Sequence, residues 1–220
     1  MNYQRIKGDD EAARILATRL REELQSGKKV LWLLSGGSNV PVVVKALEQI
    51  RDQDLRWLTM MLCDERYGPV GHDESNLYKL KQAGFIEGKA TLIATLSNSS
   101  LQDTARYFSE ALEKAFASHD VVIGQFGIGD DGHIAGILPH SPATVLDEKW
   151  AISYDTPPLT RITMTPHAIT KVTAAYCFVF GENKRDMLLK LRDQNLPIDE
   201  MPSRVLKMVK EAYVYNDQVD

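Results

Sequence analysis

The feature that most constrains the fold of this chain is a set of apolar stretches without the alternation of apolar and polar residues. They lie at 30–34, 58–63, 120–126 and 174–180. A strand that buries only one face alternates, whereas a strand of a parallel sheet is covered on both faces and is apolar throughout. We therefore predict that these stretches are buried strands of a parallel sheet.

Segments with helical periodicity separate the apolar stretches. The helical segments are 9–25, 41–50, 75–83, 101–117 and 182–192, and weaker strands are predicted at 90–93, 150–153, 161–165 and 212–215. Alternating strands and helices are typical of α/β proteins. No linker, repeat or low-complexity stretch interrupts the pattern. We predict an α/β fold with one domain over residues 1–220, in which helices cover both faces of a mostly parallel sheet.

Composition and charge argue against several classes of protein. The net charge is −4, and the lysines and arginines are scattered, which predicts no binding of nucleic acid. No apolar run approaches the ~20 residues that cross a bilayer, so no membrane association is expected. The polar N-terminus and two cysteines within apolar stretches, Cys63 and Cys177, favour the cytoplasm. No histidines, cysteines and carboxylates have the spacing of a metal site, so we predict no metal ion.

The segment SGGSN follows the first apolar stretch directly. Ligands of parallel sheets bind beyond the carboxyl ends of the strands. Ser35, Gly36, Gly37 and Ser38 could offer backbone N–H groups and hydroxyls to a phosphate at the start of the next helix. The alternative is an ordinary turn in which Ser38 or Asn39 caps that helix. The segment matches neither the dinucleotide fingerprint nor the nucleotide P-loop.

Three charged residues end the second apolar stretch, at 64–66. Charged groups next to a buried strand are paired or have a function. In the functional interpretation the guanidinium of Arg66 binds a phosphate and the carboxylate of Asp64 faces a sugar. In the alternative interpretation the segment is a solvated loop with a local salt bridge.

The loop GIGDDGH at 127–133 follows the third apolar stretch. Its glycines, Gly129 among them, bend the chain around Asp130 and Asp131 and present His133 at the edge of the sheet. An unperturbed imidazole titrates near neutral pH, which suits general acid–base catalysis. We predict that His133 is a catalytic base, and that Asp131 either orients the imidazole or helps to shape the loop. The G-x-S-x-G turn of the serine hydrolases is absent from the sequence.

Five segments in order resemble the signature segments of one family. They are SGGSNVP, DERYGPVGHDESN, GIGDDGHIAGILP, RITMTPHAIT and CFVFGENKRDMLLKL. They are similar to those of the 6-phosphogluconolactonases, which are grouped with the glucosamine-6-phosphate isomerases/deaminases. The resemblance implies the modified Rossmann-like fold of that group and a cofactor-free hydrolysis of 6-phosphoglucono-δ-lactone in the pentose phosphate pathway.

The resemblance also implies roles for particular residues. Residues 36–38 would form part of a phosphate cradle, and Arg66 matches the arginine of the lactonase DER segment. His133 matches the histidine of DGH, the proposed general base of the family. Arg161 and Lys184 match basic positions near the anionic groups of the substrate. An acidic protein would thus gather cations at one place.

Three positions depart from the family pattern. Asn39 precedes Val40 where relatives commonly have a threonine before the proline, Asp130 replaces a common proline, and Gly136 stands where lactonases often have serine. We expect Asp130 to add a second carboxylate beside the imidazole of His133. These departures bear on substrate preference more than on the class of reaction.

Two other functions remain open at the level of sequence. In an isomerase/deaminase, Asp64 would move a proton between C2 and C1 of an amino-sugar phosphate while His133 assists ring opening. In a non-catalytic sensor of sugar phosphates, the cavity would bind without turnover. In each case the expected partner is a small-molecule sugar phosphate, and the expected state is a monomer or a weak homo-oligomer.

Overall fold

A parallel sheet of seven strands runs through the centre of the protein, and a separate antiparallel sheet of three strands begins just beyond the carboxyl end of one of its inner strands. The computed structural model describes residues 1–145 and 147–220. The strands in chain order are β1 (Asn2–Arg5), β2 (Val30–Leu34), β3 (Leu58–Leu62), β4 (Asp64–Arg66), β5 (Thr91–Ile93), β6 (Val121–Phe126), β7 (Ala151–Thr156), β8 (Leu159–Met164), β9 (Ala174–Val179) and β10 (Glu211–Asn216). The helices are α1 (Asp9–Gln25), α2 (Val40–Gln49), α3 (Asn76–Gln82), α4 (Leu101–Ser118), α5 (Pro166–Thr170) and α6 (Arg185–Asp193).

The central sheet has the order β1-β10-β9-β6-β2-β3-β5, and its neighbours pair in parallel. Every residue of β2, β6 and β9 is buried. Alternate side chains of β2 enter different clusters: Trp32 packs with side chains of α1, α2 and α3, and Leu33 packs with side chains of α4, α5 and α6. Burying a large side chain stabilises a fold by roughly 1.5–3 kcal/mol. The predicted fold class, a single α/β domain with helices on both faces of a mostly parallel sheet, is confirmed.

The smaller sheet has the order β4-β8-β7 and is antiparallel. From the sequence we expected a loop at 64–66, and we did not separate the strands near 150 and 161 from the parallel sheet. Cys63 is the one residue between β3 and β4, and its backbone joins both sheets. Its N–H donates to the carbonyl of Leu34 (2.9 Å), and its carbonyl accepts from the N–H of Met164 (3.0 Å).

The sequence analysis also missed β1 and a 3₁₀ segment at Pro202–Met208. β1 is an edge strand whose side chains are largely exposed, so no apolar stretch marks it. The helix predicted at 182–192 begins as a 3₁₀ turn, Glu182–Lys184, before α6. Within the described residues, no helix is both long and apolar enough to cross a membrane.

Candidate active site

The loops that follow β2, β4 and β6 meet around a cavity of about 270 Å³. It is lined by ten of the residues predicted from the sequence: Ser35, Gly36, Gly37, Ser38, Asp64, Arg66, Gly129, His133, Arg161 and Lys184. Asp131 is outside this lining and reaches the cavity through its contact with His133. The structure therefore brings the predicted residues to one place, and their chemical roles stay predictions.

The loop after β2 forms one wall of the cavity. A 3₁₀ turn, Gly37–Asn39, connects this loop to α2. The first N–H groups of a helical segment have no partner within it, which suits them to bind an anion. The hydroxyl of Ser35 accepts a hydrogen bond from the N–H of Gly127 (3.2 Å), which fastens this wall to the loop after β6.

The alternative interpretation, in which Ser38 or Asn39 caps α2 through its side chain, is not found. Asn39 occupies the N-cap position of α2 without a side-chain capping bond. Its amide is buried and donates to the carbonyl of Phe178 at the end of β9 (3.1 Å). Asn39 therefore links the start of α2 to β9, and it does not line the cavity.

Two guanidinium groups share the cavity because of the register of the smaller sheet. Arg66 of β4 stands directly opposite Arg161 of β8. Like charges in opposing positions destabilise a sheet. Neither side chain forms an ion pair with another described residue, and the Nε atoms of both are buried without a hydrogen-bond partner. This arrangement is unfavourable for the protein alone and favourable for an anion in the cavity.

The carboxyl of Asp64 is buried between this arginine pair and Asn76. Burial raises its pKa, and the positive charges of Arg66, Arg161 and His133 act in the opposite direction. The amide of Asn76 donates to the backbone carbonyl of Asp64 (3.0 Å) and to its carboxylate (3.3 Å). The local salt bridge of the alternative interpretation is therefore not formed at Asp64.

Glu65 explains why Asn76 is held at this place. Its buried carboxylate accepts hydrogen bonds from the N–H groups of Arg66 (2.8 Å), Asn76 (2.6 Å) and Leu77 (3.1 Å) and from the hydroxyl of Ser75 (2.9 Å). Burial raises the pKa of Glu65, and these donors act against it. The carboxylate thus fixes the start of α3 against β4.

Asn76 is a cavity residue that the sequence analysis missed. A Cβ atom on Gly36 would lie 2.2 Å from its Oδ1, so the glycine is required for the close approach of the two loops. Asn76 belongs to the segment DERYGPVGHDESN, and that position was the one signal available in the sequence. Gly127, Ile128 and Ala135 also line the cavity without having been predicted to do so.

His133 and Asp131 form a hydrogen-bonded pair on the loop after β6. The distance from Nδ1 to the carboxylate is 2.7 Å, and the same oxygen accepts from the N–H of His133 (3.0 Å). The hydrogen bond from the imidazole lowers the pKa of Asp131 to about 2. Because a carboxylate only accepts, Nδ1 carries the proton and the lone pair lies on Nε2. A Cβ on Gly129 would lie 2.0 Å from Nδ1, so this approach also requires glycine.

The expectation for Asp130 is wrong. Its carboxylate was expected to lie beside the imidazole of His133. It instead forms an ion pair with Lys184 and accepts a hydrogen bond from the amide of Asn183 (2.7 Å). The opposite charge of the Lys184 ammonium holds this carboxylate, whereas Nδ1 of His133 is already engaged by Asp131. Gly136, the third departure, lies outside the cavity lining and donates its N–H to Thr163 (3.0 Å).

Fold and cavity together define an α/β protein with a cationic strand-end cavity beside a histidine–aspartate pair. The model of one family, "Glucosamine-6-phosphate isomerases/6-phosphogluconolactonase", matches residues 8–215. The chain belongs to this family, as the resemblance of its loops implied.

Similar sequences and similar solved structures agree with this family assignment. A 6-phosphogluconolactonase of Helicobacter pylori is 26% identical over 96% of each chain. The crystal structure of a 6-phosphogluconolactonase from Shewanella baltica superposes with a TM-score of 0.83 at 19% identity, covering 98% of this chain and 97% of the other. A monomeric glucosamine-6-phosphate deaminase superposes with a TM-score of 0.79 at 18% identity, covering 98% and 97%. The structural neighbours share the fold.

Proposed function

We propose that the protein hydrolyses 6-phospho-D-glucono-1,5-lactone to 6-phosphogluconate, as a step of the pentose phosphate pathway, with His133 as the general base. The observation that carries the proposal is the single cavity that holds both the oriented imidazole of His133 and the guanidinium groups of Arg66 and Arg161, whose Nε atoms are buried without a hydrogen-bond partner. The names of the relatives support the choice of lactone, since 6-phosphogluconolactonases match nearly the whole chain.

The phosphate of the substrate is held by the cationic part of the cavity. Arg66, Arg161 and Lys184 supply positive charge, and the loop at 35–38 supplies N–H and hydroxyl donors. Charge-assisted hydrogen bonds of guanidinium to phosphate are directional and can be bidentate. Binding at this remote group positions the C1 carbonyl of the lactone next to His133.

The chemical step is a general-base hydrolysis. Nε2 of His133 takes a proton from a water molecule whose oxygen attacks C1, and the carbonyl electrons move to the oxygen of a tetrahedral intermediate. When the carbonyl re-forms, the bond from C1 to the ring oxygen breaks, and the imidazolium returns its proton to that oxygen. Such a base contributes about 10²–10⁴-fold in rate, and N–H donors to the oxyanion add about 3 kcal/mol each.

Asp131 keeps the imidazole in the tautomer that this step needs. Its carboxylate accepts from Nδ1, so Nε2 is the nitrogen that can remove a proton. It also stabilises the imidazolium that forms during the reaction. Asp64, buried in the same cavity and held by Asn76, faces the sugar in this proposal.

One observation favours a second candidate function, the isomerisation and deamination of an amino-sugar phosphate. The buried carboxyl of Asp64 lines the same cavity as His133, and a base at C2 is the group that such a reaction requires. The family includes enzymes of both kinds. Release of ammonia from glucosamine 6-phosphate, without lactone opening, would replace the first proposal by this one.

The decisive experiment follows freshly generated 6-phosphogluconolactone with and without the protein. The rate of spontaneous opening is subtracted, and the product is measured by a coupled oxidation of 6-phosphogluconate. We expect saturable, protein-dependent opening that is lost in His133→Ala. Binding of sugar phosphates with no turnover of either substrate would instead indicate a sensor.

The proposal includes a cytoplasmic enzyme that works as a monomer or weak homo-oligomer, and the two free, buried cysteines agree with a reducing compartment.

A further inference from the structure

Among the cations that line the cavity, Lys184 differs from Arg66 and Arg161. Its ammonium is paired with the carboxylate of Asp130, whereas the two guanidinium groups have no carboxylate partner among the described residues. The side chain of Lys184 is 17% exposed and that of Asp130 is 58% exposed. The Lys184 side chain that lines the cavity is therefore largely shielded from solvent, whereas its partner carboxylate is exposed.

Asp130 is held in position independently of Lys184. Its second carboxylate oxygen accepts a hydrogen bond from the amide of Asn183 (2.7 Å). The hydrogen bond with Lys184 is the main cause that lowers the pKa of Asp130, and the hydrogen bond with Asn183 lowers it further. Asp130 therefore carries a full negative charge at neutral pH. If the ammonium moves towards a ligand, the carboxylate stays beside the cavity.

We infer that Asp130 is a residue that tunes ligand affinity, because it competes with the phosphate of the ligand for the ammonium of Lys184. The inference rests on the proposed function, in which this cavity holds a phosphorylated sugar. A ligand has to take Lys184 from Asp130 or share it, which reduces the net gain from binding. Asp130 thus lowers the affinity of the cavity for anions that bind through Lys184.

The first test compares Asp130→Asn with wild type in the binding of inorganic phosphate and of 6-phosphogluconate, measured by calorimetry at fixed ionic strength. Loss of the competing charge should lower the Kd for both probes about two- to fivefold, the factor that corresponds to an exposed ion pair. Asp103→Asn is the matched control, because Asp103 has a similar exposure (51%) and pairs with Arg106 away from the cavity. An unchanged or higher Kd in Asp130→Asn, or no binding by either protein, would overturn the inference.

The second test asks whether the effect passes through Lys184. In a Lys184→Met background, the substitution Asp130→Asn should lower the Kd by a smaller factor than in the wild-type background, because no ammonium remains to compete for. An equal or larger factor would mean that simple repulsion by Asp130 explains the effect, and the competition would be disproved. Circular dichroism spectra and melting temperatures of all variants identify any that are misfolded.

A third measurement follows the carboxyl group directly. The ¹³C resonance of the Asp130 carboxyl, titrated with and without saturating phosphate, reports its pKa. Lys184, Asn183 and Asp131 are the groups that act on this carboxyl. We expect the pKa to rise when phosphate is bound, and an unchanged pKa would contradict the competition. These tests need no turnover, so they can succeed or fail separately from the lactone assay.

Discussion

Arg66 and Arg161 stand directly opposite each other in the antiparallel pairing of β4 with β8. Each side chain buries its Nε atom without a hydrogen-bond partner, and both line the cavity that contains His133. The pairing places two like charges where a sheet would normally have opposite charges or apolar side chains. The strand register therefore contributes directly to the electrostatics of the site.

The first prediction concerns this pair. Arg161→Met removes one of two opposing like charges, so we expect the free energy of unfolding to stay the same or rise by up to ~1 kcal/mol. The loss of a charge-assisted bond to phosphate should raise KM about 10–100-fold, with a smaller change in kcat. Arg106→Met, which removes an exposed arginine of α4, is the control. A destabilised variant with normal KM would show that Arg161 serves the fold instead.

The second prediction concerns the base. His133→Ala should lower kcat for lactone opening by at least ~10²-fold while the Kd for 6-phosphogluconate changes little. The chain provides a matched control in His140, whose Nδ1 lies at the same distance (2.7 Å) from a carboxylate oxygen, that of Asp199, outside the cavity. His140→Ala should retain the wild-type rate. Equal losses of kcat in the two variants would show that His133 is not the general base.

The third prediction concerns pH and Asp64. Burial raises the pKa of its carboxyl above the usual value of about 3.9. In the interval between the two values the folded protein binds more protons than the unfolded chain, so stability falls as the pH rises through it. Asp64→Asn has no proton to lose there. Its free energy of unfolding should therefore increase relative to that of wild type as the pH rises from about 4 towards neutrality.

Denaturant unfolding of both proteins across this pH range measures the difference. The control is Asp155→Asn, which changes an exposed carboxylate of β7 that accepts a hydrogen bond from Thr160. A difference between Asp64→Asn and wild type that stays constant with pH would be incompatible with a raised pKa.

The fourth prediction concerns the contact between the loops after β2 and β4. In Gly36→Ala the new methyl group would lie 2.2 Å from Oδ1 of Asn76, so the asparagine must move and release Asp64. We expect a loss of about 1–3 kcal/mol in stability, as for other overpacked sites, together with a higher KM. Adding Asn76→Ala removes the obstacle, and the double variant should recover part of the stability. If it recovers none, the steric explanation is incorrect.

The central sheet could be predicted from the sequence because its strands are buried on both faces. The apolar stretch at 30–34, which is followed by Gly36 and Gly37, was predicted as a buried strand and forms β2. Two strands of the smaller sheet were predicted near 150 and 161, but β4 was not, because Asp64 and Arg66 are charged and no periodicity distinguishes a three-residue strand from a loop. The loops of the site were found because a parallel sheet brings its strand ends together. The partner of Asp130 was not predicted. In the sequence Asp130 lies close to His133, whereas the fold brings Lys184 to it from a distant segment.

The backbone of Cys63 binds Leu34 on one side and Met164 on the other. Closure of one structural unit over another requires a few loop residues that absorb large changes in dihedral angle. Between β3 and β4 the chain has one residue, and both its peptide groups are engaged. The chain therefore has no hinge at this point, and the amide protons of Cys63 and Met164 should exchange with solvent as slowly as those of the central strands.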